Sequence, residues 1–175
     1  MDNEKQKSDQ HLIIRTQEDR SLLLKDLYGR LPYGVKFKAD NEEDIREIYY
    51  IKDENVYIRE YQNLPYWIDN IKPYLRPMSS MTEEERKELE KITHYTFEYE
   101  KGARDIWTKS YHKYHLFGGD GKLYGEGEPI NMLCSSELCI KLIDWLNMHH
   151  FDYRHLIERG LALEAPEGLY NIREN

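Results

Sequence analysis

Apolar and polar residues alternate along much of the first half of the chain, as they do in β-strands that bury one face. The alternation is clear in "VKFKA" (35–39), and "REIYYIKDENVYIREY" (46–61) carries β-forming residues on both sides of a polar "KDEN" turn, as a β-hairpin does. "YWIDNIKPYL" (66–75) predicts one more strand. In front of these segments, Ser21 is a suitable N-cap for a short helix that ends at Gly29. The pattern predicts a small antiparallel sheet behind a helix, with barrel-like closure of the sheet as one alternative.

A strongly charged segment, "MTEEERKELEKI" (81–92), carries the clearest local signal in the chain. Thr82 and Glu85 have the spacing of a capping box, in which each side chain bonds to the backbone N–H of the other residue. Leu89 and Ile92 are the main apolar positions that follow. We therefore predict a surface helix over 82–92 that is anchored by these two residues and whose charges are solvated.

The last part of the chain has apolar residues at helical spacing in "SSELCIKLIDWLNMHH" (135–150). Asp152 is a good N-cap residue, and Phe151 before it and Leu156 four residues after it form the pattern of a hydrophobic staple. These features predict a second helix over 153–159 and hence a C-terminal helix-turn-helix corner. Together with the predicted sheet and the charged helix, they indicate an α+β fold.

The stretch "LNMHHFDYRHL" (146–156) places three histidines and an aspartate within seven positions. Such residues ligate metals or act as acids and bases when they converge on one point. Neighbouring residues point about 100° apart on a helix, so a regular helix does not direct both adjacent histidines to one ion. Imidazoles at the C-terminal end of a helix are also favoured by its dipole, which is the simpler interpretation. We assign no metal and no catalytic residue, and keep four weak metal-ligand candidates: His149, His150, Asp152 and His155.

Residues 93–130 are dense in Tyr, His and Gly, and predict an inserted β segment. Aromatic rings in "SYHKYH" (110–115) suit a stacking platform for a base or nucleotide, and a Tyr-rich strand packed on the core is the alternative. The Gly-rich "FGGDGKLYGEGEP" (117–129) is not a phosphate-binding P-loop, because that motif needs Gly and a hydroxyl where the chain has Leu116 and Leu123. The candidate ligand- or partner-binding residues are Tyr111, His112, Tyr114, His115 and Lys122.

Composition indicates one packed domain in 175 residues, with 39% hydrophobic and 13% aromatic residues, 15 of them Tyr. Residues 1–20 are polar and predict a flexible tail, which leaves 21–175 as a single α+β domain. The net charge of −8 disfavours nonspecific nucleic-acid binding, which depends on neutralising phosphates, and suits a basic partner. It is also compatible with ordinary solubility.

Cysteine content and hydropathy bear on the compartment. Cys134 and Cys139 are five residues apart, which is neither a disulfide scaffold nor a C-x-x-C site. No apolar run approaches the ~20 residues of a membrane span. The N-terminal residues lack the apolar region of a secretory signal. We expect a protein of the bacterial cytoplasm that has no membrane association.

Three segments together resemble a family of uncharacterised proteins of gut Bacteroidales and their phages and prophages. They are "DLYGRLPYGVKF" (26–37), "IKPYLRPMSSMTEEE" (71–85) and "DWLNMHHFDYRHLIERGLALEAPEGLY" (144–170), about a third of the chain. The family has no established activity, cofactor or catalytic residue, so the resemblance assigns no role to any residue. It implies a bacterial or phage accessory protein whose C-terminal corner is packed and docks the tail that follows it.

The leading hypothesis is therefore a non-enzymatic phage or mobile-element accessory protein that binds, and in one version inhibits, a host protein. The first alternative is a small-ligand or nucleotide-binding protein that uses the Tyr/His/Gly-rich segment. The second is a metal-dependent enzyme built on the His149–His155 cluster. The oligomeric state, a virion role and the partner's identity stay open, and no cofactor is predicted.

Overall fold

The computed structural model describes residues 15–60, 64–93, 97–98, 107–108, 124–125, 128–129 and 136–170. They form helices and both mixed and antiparallel sheets, which confirms the predicted α+β class. The helices are α1 (Gln17–Arg30), α2 (Glu83–Thr93) and α3 (Ser136–Met148). The strands are β1 (Lys36–Ala39), β2 (Ile45–Glu47), β3 (Tyr50–Lys52), β4 (Asn55–Tyr57), β5 (Tyr66–Trp67), β6 (Ile71–Leu75), β7 (Phe97–Glu98), β8 (Trp107–Thr108), β9 (Tyr124–Gly125), β10 (Glu128–Pro129) and β11 (Leu163–Glu164).

Two sheets make up the centre of the described structure. The first has the order β11–β6–β1–β2 and is antiparallel except for the parallel pair β6–β11. The second is the antiparallel sheet β3–β4–β5, which contains the predicted hairpin with its turn at Asp53 and Glu54. Strands β7 and β8 form one antiparallel pair, and β9 and β10 form another, within the predicted insert at 93–130.

Two chain segments connect these sheets by belonging to both. In residues 45–52, the Ile48 N–H donates to the Val35 carbonyl and the next N–H, of Tyr49, donates to the Tyr57 carbonyl, both at 2.8 Å. Residues 66–75 likewise pair first with β4 and then with β1. A 3-10 turn over Ile68–Asn70 interrupts this second segment, so the sheets stay separate and the described residues form no closed barrel.

Two groups of buried side chains hold the elements together. One lies between α1 and the two sheets, and the other lies between α2 and α3. The first includes Leu23, Leu27, Val35, Phe37, Val56, Ile58, Ile71, Leu75 and Leu156. The second consists of Met78, Leu89, Leu142, Trp145, Leu146, Phe151 and Tyr153.

Helix α2 matches its prediction closely. The Thr82 N–H donates to Glu85 Oε2 at 2.8 Å, and the Glu85 N–H donates to Thr82 Oγ1 at 3.2 Å, which is the expected capping box. Leu89 is fully buried and Ile92 packs partly against the same group of side chains. The helix is therefore anchored by the two residues that its pattern indicates.

Helix α1 begins earlier than predicted and continues past Gly29. Its N-cap is Thr16, whose Oγ1 accepts the Asp19 N–H at 3.1 Å, so residues 17–20 are helical rather than part of a tail. Thr16 and Ser21 are both good N-cap types, and sequence alone does not rank them. A 3-10 turn over Leu31–Tyr33 follows α1, and it ends at Gly34, which adopts a left-handed backbone conformation with φ +75°.

The predicted second helix of the C-terminal corner is wrong, because residues 153–159 form consecutive turns. His150 and His155 adopt positive φ values of 57° and 56°, which a right-handed helix does not contain. Asp152 does accept backbone N–H groups, but from Leu156 and Ile157, both at 2.8 Å, further along than a helical N-cap reaches. The predicted hydrophobic staple is also absent, since Phe151 and Leu156 pack into different groups of buried side chains.

Candidate functional site

The predicted ligand-binding residues of the Tyr/His/Gly-rich segment lie outside the described residues, so their role stays a prediction. They are Tyr111, His112, Tyr114, His115 and Lys122.

The four candidate metal ligands are described, and they have separate partners. His149 Nδ1 lies 2.8 Å from the Trp145 carbonyl, and its ring stacks on the Trp145 indole with centroids 4.0 Å apart. His150 Nε2 lies 3.1 Å from the Tyr33 carbonyl. His155 Nδ1 faces Glu158 at 3.9 Å, and the Asp152 carboxylate accepts two backbone N–H groups. Among the described residues, no three His, Cys, Asp or Glu side chains are arranged to hold a metal ion.

A buried ion pair joins α1 to this corner. The Arg30 guanidinium donates from Nε to Asp26 Oδ2 at 2.7 Å and from Nη2 to Asp26 Oδ1 at 2.9 Å, and Nη2 also donates to the Phe151 carbonyl at 2.7 Å. Arg154 approaches the same Asp26 carboxylate at 3.2 Å. Burial disfavours the charged form of Arg30, but the Asp26 carboxylate outweighs that effect and raises the Arg30 pKa. Arg30 therefore stays charged inside the protein, and its hydrogen bonds to Asp26 and Phe151 fix the corner against α1.

His150 is covered by the residue that ends the described C-terminal segment. Its ring stacks on Tyr170 with centroids 3.6 Å apart and planes 14° from parallel. The Tyr170 hydroxyl donates to the Tyr74 carbonyl at 2.9 Å and accepts the Lys36 N–H at 3.0 Å. These contacts hold residues 163–170 against β6 and β1.

The proton on His150 is located by its partner. A carbonyl oxygen only accepts, so the neutral ring carries its proton on Nε2, which donates to Tyr33. Nδ1 is then a buried lone pair without a hydrogen-bond partner in the described structure. Burial, and next the positive charge of Arg30, lower the His150 pKa from 6.5 to about 3. The ring is neutral and enclosed, so it does not serve as an acid or base for an outside substrate in this conformation.

A group of aromatic side chains lies on the outer side of the sheet β3–β4–β5. Val56 points into the core, and its neighbours on the strand therefore point outward. We call the outer residues Tyr50, Lys52, Asn55, Tyr57 and Trp67 the aromatic face.

The rings of this face have a defined geometry. Tyr50 and Tyr57 are directly paired across β3 and β4, and their rings stack with centroids 4.3 Å apart and planes 8° from parallel. Trp67, opposite Asn55, is 59% exposed. Beside the face, Arg59 lies over the Tyr49 ring at 4.7 Å. Trp67 is therefore open to contact, and the half-buried Tyr50 and Tyr57 are held beside each other on paired strands.

Sequence reasoning did not identify the aromatic face, although one signal for it exists. Tyr50 and Tyr57 are equally distant from the turn at Asp53 and Glu54, and a two-residue hairpin turn makes such residues cross-strand neighbours. The position of Trp67 depends on how β5 pairs with β4 and has no comparable local signal.

No helix in the described part of the chain has the length and apolar character needed to cross a membrane. Comparison with protein-family models, with curated proteins and with solved structures gives no match to this chain.

Proposed function

We propose that this protein is a non-enzymatic accessory protein of a phage or mobile element, and that it binds a basic surface of a host protein through the aromatic face. The observation that carries the proposal is the 59% exposed Trp67 on the same face of the sheet as the stacked pair Tyr50 and Tyr57. Inhibition of the bound protein follows if that basic surface is the one the host protein uses for its own ligand.

The residue types of the face support a protein partner. Trp, Tyr and Arg are the residues that most often dominate the binding energy of protein interfaces. The rings are attached to paired strands, so little conformational freedom remains to be lost when a partner binds. By contrast, His150 and Asp152, whose pKa values are shifted chiefly by burial, are enclosed in the protein and hydrogen-bonded to the backbone. Among the described residues this supports a binding role over a catalytic one.

Charge supports the choice of a basic partner. The chain carries a net charge of −8, which attracts a positively charged protein and accelerates the encounter. Asp53 and Glu60 are exposed next to the aromatic face, and the ring faces themselves attract Lys and Arg, as Arg59 over Tyr49 illustrates. Lys52 places one positive charge on the face itself. The preference for a basic partner therefore comes from the negative charge of the whole chain rather than from the face alone.

The test compares three tagged proteins expressed in a bacterial host: wild type, a Tyr57→Ala/Trp67→Ala face variant and a Tyr28→Ala/Ile140→Ala control. The control residues are 52% and 60% exposed but belong to α1 and α3. We expect a stoichiometric basic protein with wild type and with the control. Its affinity, measured with purified components, falls at least about tenfold in the face variant, since a hot-spot residue contributes about 2 kcal/mol or more.

Equal affinity of all three proteins for the partner contradicts the proposal, and so does an equal loss in both variants. An acidic protein or a nucleic acid as the stoichiometric partner also contradicts it. Rising salt is expected to weaken the complex, because attraction between exposed charges is screened.

A further inference from the structure

The C-terminal segment Leu163–Tyr170, here called the latch, lies along β6. Leu163 and Glu164 pair in parallel with Tyr74 and Leu75, and the Ala165 N–H donates to the Leu75 carbonyl at 2.7 Å. Further along the latch, Lys36 Nζ donates to the Leu169 carbonyl at 2.9 Å. The latch ends with the Tyr170 ring flat on His150.

His150 is enclosed on its other sides by parts of the main core. Tyr33, which accepts its Nε2 proton, directly precedes the segment of Gly34 and the fully buried Val35. Arg30 belongs to α1, whose Leu27 is also fully buried. Of the segments that cover His150, the latch is therefore the one that can detach without disturbing the packing of α1 on the sheets.

A second proton on His150 is incompatible with this arrangement. It would place a new N–H donor at Nδ1, where no acceptor lies among the described residues. It would also add a positive charge to a region that already contains other cations. The charged and titratable groups around the ring include Arg30 from α1, Arg76 after β6 and the adjacent His149. Tyr170 and Lys36 lie at the latch, and the Glu47 carboxylate of β2 is the one anionic group that faces Tyr170 among the described residues.

We propose that the latch is acid-sensitive, and that protonation of His150 releases Tyr170 and with it residues 163–170 from β6. Release uncovers the imidazole to water and leaves the outer edge of β6 unpaired. The closed latch thus hides a strand edge that becomes accessible to a partner strand only in the open state.

The direction of the pH dependence follows from the two states of His150. In the closed state its pKa is about 3, whereas a ring exposed to water has a pKa near the ordinary value of 6.5. At a pH between these two pKa values the open state therefore binds more protons than the closed state. The closed latch has its full stability only at a pH above the pKa of the exposed ring. Between about pH 6 and pH 3, the opening equilibrium increases about tenfold for each unit that the pH falls.

The experiment measures hydrogen-exchange protection of single amides in the full-length chain at pH 7, 6, 5 and 4, corrected for intrinsic exchange rates. The Ala165 amide reports the latch, and the Ile48 amide, bonded to Val35 at 2.8 Å, reports the sheets. We expect Ala165 protection to fall about tenfold per pH unit below 6 while Ile48 stays protected. His150→Phe keeps a ring for stacking but does not titrate, and is expected to abolish the pH dependence. His155→Gln is the control and is expected to behave as wild type.

Protection of Ala165 that does not change with pH overturns the proposal. So does the same pH dependence in wild type and His150→Phe, or simultaneous loss of protection at Ala165 and Ile48, which is global acid unfolding. If His150→Phe does not fold, Tyr170→Ala replaces it: the latch should then be open already at pH 7, and wild-type protection of Ala165 in that variant would refute the role of Tyr170.

Discussion

Arg30 and Asp26 form an ion pair in which both side chains are fully buried, one turn apart on α1. Two hydrogen bonds of 2.7 and 2.9 Å join them, and a third from Arg30 reaches the carbonyl of Phe151, 121 residues away. A buried ion pair is expensive to desolvate, so it contributes modestly to net stability, yet removal of one partner leaves an uncompensated charge. This pair therefore specifies where the C-terminal corner attaches to α1.

Asp26→Asn is expected to lower the free energy of unfolding by about 3–5 kcal/mol, because Arg30 would remain charged and buried without its carboxylate. Urea unfolding monitored by circular dichroism measures the change. Asp44→Asn is the matched control, since Asp44 pairs with Arg46 at 3.1 Å with 75% of its side chain exposed, and we expect a loss below about 1 kcal/mol. Similar losses in the two variants would show that the buried pair has no special role.

Replacement of both partners gives an independent check. Asp26→Leu combined with Arg30→Met removes both charges and keeps the apolar volume, and we expect most of the stability lost in Asp26→Asn to return. A double variant that is less stable than Asp26→Asn would indicate that the hydrogen bond from Arg30 to Phe151 is the dominant contribution.

Asp152 organises the turns that replace the predicted helix. Asn in its place offers one acceptor oxygen to two N–H donors, so Asp152→Asn should lower the free energy of unfolding by about 1–3 kcal/mol, and Asp152→Ala by more. Hydrogen exchange at Leu156 and Ile157, whose amides are 2.8 Å from the carboxylate, is the local measurement. Wild-type protection of both amides in Asp152→Ala would show that the Asp152 carboxylate does not hold these turns in place.

The hairpin turn at Asp53 and Glu54 offers a stabilising substitution. Both residues have positive φ, 48° and 61°, a conformation that suits Gly and is unfavourable for Glu. Glu54→Gly is expected to raise the free energy of unfolding by about 0.5–1 kcal/mol. The ion pair with Arg20 that is lost is long, at 4.0 Å, and therefore weak. Thermal unfolding measures the gain, and Glu54→Ala, which keeps the strain, should show none.

Local signals explain which parts of the fold were predictable. The capping box of Thr82 and Glu85 involves residues three apart, so its sequence pattern and its structure are nearly the same information. The start of α1 was not predictable because Thr16 and Ser21 carry equivalent signals. The turns after Asp152 were not predictable either, since the paths of Phe151 and Leu156 into different groups of side chains are decided by tertiary packing.

The candidate sites also differ in how far local sequence signals predict them. The pairing of Tyr50 with Tyr57 is contained in the symmetry of the hairpin, and a closer look at the sequence finds it. The contact of His150 with Tyr170 has no local sequence signal, because it depends on the latch lying along β6. The histidines and the aspartate of 146–156 have the residue types of a metal site, but among the described residues no three such side chains are arranged to hold an ion.

Residues 45–52 and 66–75 each belong to both sheets, so a change that displaces either segment disturbs both sheets. A fragment that ends at the turn after β3 would contain 45–52 but lack β4, its partner in the second sheet. Neither sheet is thus a module that evolution or an engineer can exchange alone. The long stretch between α2 and α3 is different, because its described strands pair only with one another. Changes in the described strands of that stretch therefore remove no strand pairing from either of the two central sheets.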